Sequence, residues 1–377
     1  DMMCAVPKRL SKMAAHVASP GIRASSGAVL DPPALPELYF GTMTFGWNQA
    51  SSKVDEAVAS AMVKKFLSSG CRQIDSARIY SAGDTEDILG NVLQTQDVMA
   101  HPYIIGTKAH PSQPGGLSNR GIRAQLAASL KALQIDKVEV LYLHQPDPEN
   151  DLLESLECVQ ELIAEGLISK YGMSNYSALE VDRCCKLCAE RGWTTPSFYQ
   201  GLYNPLNRLA EEELLPVLRK HAVAFIAYNP LAAGLLTGKH SPAGDVMVGR
   251  FKDNPNYLPR FYTEANFSAL AGIQEACGEA GLGMVPATYS WLLKHSQLDA
   301  RHGDGLLLGA SSLSQLEQNL EACLTPVRLP PTVFSAFNSA WATTICFAPF
   351  PYWRSYSRDQ PGRETLPPGA AYNAAKK

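Results

Sequence analysis

Several signals are missing from this 377-residue chain, and each absence excludes something. No apolar run reaches the roughly 18–20 residues that span a bilayer as a helix. There is no basic excess: 33 Lys and Arg stand against 36 Asp and Glu, a formal net charge of -3, so the positive field of a nucleic-acid binder is absent. The nine cysteines form no evenly spaced framework, and an odd count leaves one unpaired, which favours a reducing compartment. The cluster CCKLC, Cys184 to Cys188, contains a C-x-x-C, but no second C-x-x-C or H-x-x-H completes a metal set. Its flanks read as a helix, so plain helix packing accounts for it more simply than zinc or redox chemistry. The G-x-G-x-x-G that follows the first strand of a doubly wound dinucleotide fold is also missing; GTMTFG has the wrong spacing.

One further absence is local. From Met2 to Leu30 there is no acid, while Lys8, Arg9, Lys12 and Arg23 sit among many Ala and Ser. Residues 1–36 therefore read as a leader, either a transit peptide to a chloroplast or mitochondrion or an untargeted disordered tail of a cytoplasmic protein. The segment 355–377, rich in Pro, Gly and polar residues, reads as a flexible tail. Between them, residues 37–354 carry the pattern of a folded domain.

What is present there is an alternation. Short apolar runs (ELYFGTMTFG, CRQID, YIIGTKA, VEVLYLH, ISKYGMSN, SFYQGLYN, AVAFIAYNPL and GLLLGAS) are each followed by a helix-like stretch. The helical stretches run from Lys53 to Ser69, after Asp84, from Arg120 to Leu133, from Leu152 to Ala164, from Ser177 to Arg191 and from Glu211 to Lys220. They continue around Glu264–Ala280 and Pro286–Lys294 and end with Ser314–Cys323. Ile122, Leu126, Leu130 and Leu133 recur at helical spacing, and Ser177 suits an N-cap. Eight strand–helix units over this length predict an α/β fold, a (β/α)8 TIM barrel. In such a barrel the active site lies at the C-terminal ends of the strands.

Those ends carry chemistry. The second strand ends at Asp75, with Tyr80 in the loop after it; the third ends near Lys108; the fourth ends at His144. Taken singly, each residue has an ordinary reading as a turn former, a surface phenol or a solvated rim charge. Together they form a working set. A lysine ammonium beside a tyrosine stabilises the phenolate, a carboxylate holds that lysine charged, and a histidine beside the phenol shares a hydrogen bond with a substrate oxygen. This is equipment for protonating a carbonyl oxygen at neutral pH. It holds no hydride, so a cofactor has to supply one. The rest of the loop, AGDTEDILG, reads as an ordinary turn and a capped helix start.

IDSARIY, TKAH and YLHQPD, with Asp75, Tyr80, Lys108 and His144, resemble the catalytic tetrad of the aldo-keto reductases. The likeness runs over roughly Leu38 to Arg354. NPLAAGLLTGK, VGRF, HSQL, HGDG, SSLSQLEQNL, AFNSAW and YWR are similar to the aflatoxin-aldehyde and succinic-semialdehyde reductase branch. Departures are few: Ser76 where many relatives have Thr, Ala233 where the branch has Gly, and YLPR in place of a more polar YRNR.

The resemblance implies a C-terminal extension over the barrel mouth and NADPH bound there in extended form. It implies Ser174, Asn175 and Gln200 near the carboxamide, Tyr228 facing the nicotinamide, and Asn229, Pro230, Leu231, Gly234, Leu235 and Lys239 along the pyrophosphate. Arg250 is expected to grip the 2′-phosphate, with Ser311, Ser312, Gln315, Gln318 and Asn319 toward the adenosine end. Tyr257, Arg260 and Arg354 are expected to hold the substrate's far end. The implied reaction is reduction of aldehydes, dicarbonyls or carboxylated aldehydes such as succinic semialdehyde, with Tyr80 as proton donor. The expected partner is a small carbonyl compound, with no nucleic acid or membrane; whether the chain forms a homodimer is left open. Two rivals share the fold: a regulatory subunit resembling the potassium-channel β-subunits, and a phosphosugar isomerase, which needs no nicotinamide.

Overall fold

A computed structural model describes residues 34–242, 251, 257–347 and 349–354. The chain divides at Ala34/Leu35, and the barrel lies wholly in the unit that begins at Leu35. Eight parallel strands close it: β1 (Glu37–Gly41), β2 (Gln73–Asp75), β3 (Ile104–Ala109), β4 (Val138–Leu143), β5 (Ile168–Ser174), β6 (Phe198–Leu202), β7 (Ala224–Tyr228) and β8 (Gly305–Gly309). β1 and β8 complete the ring with Glu37 opposite Gly305 and Gly41 opposite Gly309. Covered by helices outside and packed within, the strands are buried on both faces, which is why they read as apolar runs rather than alternating ones.

The helices sit where their apolar stripes require. Asn119–Leu133 buries Ile122, Leu126 and Leu133 against the barrel, each buried aliphatic side chain contributing about 1.5–3 kcal/mol. Ala178–Arg191 begins with a full capping box between Ser177 and Glu180 and turns Cys184, Cys185 and Cys188 inward, as packing residues do. Two sequence expectations shift. The stretch from Glu211 divides into a short turn, Leu209–Glu211, and a helix beginning at Leu214. The loop after β2 is not an ordinary turn with a capped helix: Ser81, Ala82 and Gly83 take φ values of 50°, 56° and 112° in succession. The helix Asp84–Leu93 starts from Gly83 with no side-chain cap. Three left-handed residues in a row are costly for Ser and Ala, and tertiary bonds hold them. Arg78 Nη1 donates to Gly83 O at 2.8 Å, and Ser81 Oγ and Thr85 Oγ1 both donate to Phe45 O.

After β8 the helix Leu313–Leu324 is followed by one the strand–helix count does not include, Pro331–Ile345, which packs against Glu264–Glu279. The chain then returns to the mouth. Asn207 Nδ2 donates to Phe350 O (2.6 Å), Ala178 N to Tyr352 Oη (3.2 Å) and Arg354 N to Asn175 O (2.7 Å). This is the expected C-terminal extension. Among the described residues no helix is long and apolar enough to cross a membrane.

Candidate active site

Register brings the strand ends to one level. Asp75 lies opposite Gly106, Lys108 opposite Tyr142, and Ser174 opposite Gln200. A cleft of about 790 Å³ opens above them, lined from every strand end except that of β3. β3 contributes from below. The Lys108 side chain is fully withdrawn from solvent; its Nζ donates to Asp75 Oδ2 at 2.5 Å and to Ser76 O at 2.7 Å, and lies 5.2 Å from the centre of the Tyr80 ring. Asp75 Oδ1 accepts from Gln200 Nε2 at 2.9 Å, across the barrel. Tyr80 and His144 meet edge to face, with ring centres 5.7 Å apart. The four expected catalytic residues therefore form one cluster beneath the cleft.

Electrostatics follow from burial. Desolvation pulls the Lys108 ammonium below its ordinary range, opposed by the Asp75 charge beside it. Desolvation, with His110, Lys108 and Arg354 nearby, holds His144 well below the usual imidazole range, so its ring is neutral. Glu86, buried behind β3, is pushed upward by desolvation while accepting a 2.5 Å hydrogen bond from Thr107 Oγ1.

Of the residues expected at the cofactor, Ser174, Asn175, Gln200, Tyr228, Asn229, Pro230, Leu231, Gly234, Lys239, Ser311, Gln315, Gln318 and Asn319 line the cleft. Leu235 is buried in the core behind that wall. Ser312 is the N-cap of Leu313–Leu324, its Oγ accepting from Gln315 N. Arg250 lies outside the described residues. Both amide hydrogens of Asn175 go to the protein, to His144 O at 2.9 Å and Ser174 Oγ at 3.0 Å, while its Oδ1 accepts from Tyr228 Oη at 2.8 Å. Tyr257, Arg260 and Arg354 also line the cleft, and the two guanidinium groups lie over the Phe350 ring, at 4.1 and 5.8 Å.

The lining suits a phosphate-bearing dinucleotide. Gly234 takes φ +110°, and a Cβ there would meet nothing nearer than His240 Nε2 at 3.7 Å, so the backbone is open to close approach. Ala233, at φ 59°, adopts a conformation that its branch equivalent, Gly, would take without strain. Lys239 supplies a cation on the same loop, and Ser311 stands just ahead of a helix N-terminus. Asp75 is the sole acid among the cleft-lining described residues.

The sequence reading missed part of the lining. Trp47, from the loop after β1, reaches across to Tyr257 with rings 6.2 Å apart. Ser51 Oγ meets Ser311 Oγ at 2.5 Å, so the β1 and β8 loops join over the cleft. The barrel rule pointed to the loop after β1, but a lone Trp and Ser carry no motif.

A (β/α)8 barrel with a buried Asp–Lys pair under a Tyr and a His, at the strand C-termini, defines a carbonyl-reducing class of oxidoreductase. The chain belongs to the aldo/keto reductase family, whose pattern matches residues 37–342; members generally use NAD(P)H. It is 39% identical over 357 residues to human "Aflatoxin B1 aldehyde reductase member 2", covering 90% of this chain and 97% of that one. It is 40% identical over 336 residues to the rat protein of the same name, covering 86% and 88%. To human "Aldo-keto reductase family 7 member A3" it is 40% identical over 318 residues, covering 82% and 94%.

Proposed function

We propose that the protein reduces aldehydes to alcohols with NADPH, with Tyr80 as the proton donor. The observation that carries this reading is the cluster of Lys108 on Asp75 at 2.5 Å with the Tyr80 ring 5.2 Å above the ammonium. NADPH, when bound, supplies the hydride. The substrate oxygen sits between Tyr80 and His144. Lys108, kept charged by Asp75, eases loss of the phenolic proton to that oxygen. Neutral His144 orients the oxygen by a hydrogen bond without competing as an acid. Gln200 holds the second oxygen of Asp75, so the carboxylate is fixed from two sides.

The similarity to proteins named as aflatoxin B1 aldehyde reductases supports an aldehyde as substrate. Lys239 at the cleft and Arg250 in the same loop sequence favour NADPH over NADH, because a 2′-phosphate needs a cation. Arg260 and Arg354, at the mouth, suit a carboxylate on the far end of the substrate, as in succinic semialdehyde. The test is oxidation of NADPH and NADH against a panel of neutral, dicarbonyl and carboxylated aldehydes. NADPH consumption dependent on aldehyde is expected; no consumption with any of the panel would contradict the reading.

A further inference from the structure

Past Lys108 and Ala109, the chain enters His110, which has no part in the chemistry described above. Its side chain is buried. Its ring meets that of His144 edge to face, centres 5.0 Å apart and planes at 89°. His144 meets Tyr80 in the same manner at 5.7 Å. Three rings thus run in series from the interior to the cleft. We propose that His110 is a positioning residue whose ring sets the orientation of His144 and seals its inner edge from water, so that only the cleft-facing edge meets substrate. The inference rests on the tetrad reading.

His110 is itself firmly placed. Ser112 N donates to its Nδ1 at 3.1 Å, and Ser112 Oγ lies 2.7 Å from the same atom. An amide N–H only donates, so Nδ1 is the unprotonated nitrogen and the neutral ring carries its hydrogen on Nε2. The backbone is anchored too: His110 N donates to Gln125 Oε1 at 2.7 Å, and Gln125 Nε2 to Gly116 O at 2.9 Å.

His144 lacks the equivalent restraint. Its backbone is tied, N to Ala109 O at 2.9 Å and O from Asn175 Nδ2 at 2.9 Å. Its Nδ1, however, is buried with no hydrogen-bond partner. A working imidazole is commonly oriented through a hydrogen bond on its second nitrogen. Here ring packing takes over that task, and His110 and Tyr80 are the two rings in contact with it. The charges around the pair are consistent with two neutral rings. Lys108 and Arg354 act on His144; Arg354 and, in the opposite sense, Asp147 act on His110, and Asp75 is bonded to Lys108. Burial with Arg354 holds His110 down to about 3.

Two substitutions separate positioning from simple support. His110→Ala removes the ring; His110→Phe keeps a ring in edge-to-face reach. The readouts are kcat, NADPH affinity, and the titration of His144 followed through its Cε1 carbon by NMR in the cofactor-free protein. His110→Ala is expected to lower kcat about tenfold and leave NADPH affinity unchanged. It should also let His144 titrate near the ordinary value of about 6.5. His110→Phe should recover most of kcat and keep His144 neutral. Wild-type kcat in His110→Ala, with His144 still untitrated, would overturn the proposal. If His110→Ala fails to fold, Ser112→Ala serves: it loosens the His110 ring and should lower kcat about threefold, and an unchanged kcat would overturn the proposal. Tyr80→Phe is measured alongside. An active Tyr80→Phe removes the tetrad reading itself, whereas an inactive Tyr80→Phe beside a wild-type-like His110→Ala removes only this inference.

Discussion

Gln200 and Asp75 are 125 positions apart in the chain, yet Gln200 Nε2 donates to Asp75 Oδ1 at 2.9 Å while Asp75 Oδ2 accepts from Lys108 at 2.5 Å. The carboxylate is shared between a residue on β6, which lines the cleft, and the buried cation under Tyr80. Barrel closure alone makes this contact possible.

Asp75→Asn would leave a buried ammonium with no counter-charge. Breaking a buried pair in this way costs about 3–5 kcal/mol, so a lower thermal midpoint is expected by scanning calorimetry. Lys108 would then lose its charge more readily, since burial already pulls it downward and Asp75 is the first influence opposing that. Turnover should fall by roughly 10²-fold or more. Wild-type turnover in Asp75→Asn would show that the pair is structural only.

Arg354 is anchored at its backbone by Asn175 O and its guanidinium lies in the cleft wall. Arg354→Ala should raise KM about tenfold for a carboxylated aldehyde, the scale of one charge-assisted hydrogen bond of about 1.5–3 kcal/mol. KM for a neutral aldehyde of similar size should not change. Equal effects on both substrates would mean that the arginine supports the C-terminal segment rather than reading a charge.

Lys239→Met and Arg250→Met should each weaken NADPH binding while affecting NADH little. Fluorescence titration with both nucleotides reads this directly. A uniform loss for both would place the cations on the shared pyrophosphate instead.

Acid stability carries a sign that His110 sets. Its folded value is depressed to about 3, so below about 6.5 the unfolded chain binds a proton that the native state does not. Stability therefore falls as pH drops through that window, by about 1.4 kcal/mol per pH unit from this group. Glu86 works the other way: with its folded value raised, it loses stability as pH rises from about 4.5 toward that value. Urea unfolding of wild type and His110→Asn at several pH values cancels Glu86, and the wild type should show the steeper loss on acidification.

Much of the site is legible in the sequence, for definite reasons. Asp75, Lys108 and His144 are found by reading polar residues at the ends of apolar runs, because a barrel sends those ends to one face. The cap at Ser177 is local chemistry and is legible too. Contacts set by closure are not: Gln200 on Asp75, Asn175 between His144 and Tyr228, and Trp47 against Tyr257. Nor is the run of left-handed residues after Tyr80. Ser81 and Ala82 have no propensity for it, and tertiary bonds to Phe45 and from Arg78 impose it. SSLSQLEQNL divides between roles: Ser311 and Gln315 line the cleft, while Ser312 caps the helix.

The measurement that bears most directly on the central claim is turnover of Tyr80→Phe set beside its NADPH affinity. The substitution removes one hydroxyl and keeps the ring against His144 and over Lys108. Aldehyde reduction is expected to fall by roughly 10²–10⁴-fold, with the NADPH dissociation constant changed by less than about twofold. Wild-type turnover in Tyr80→Phe would contradict the assignment of Tyr80 as the proton donor.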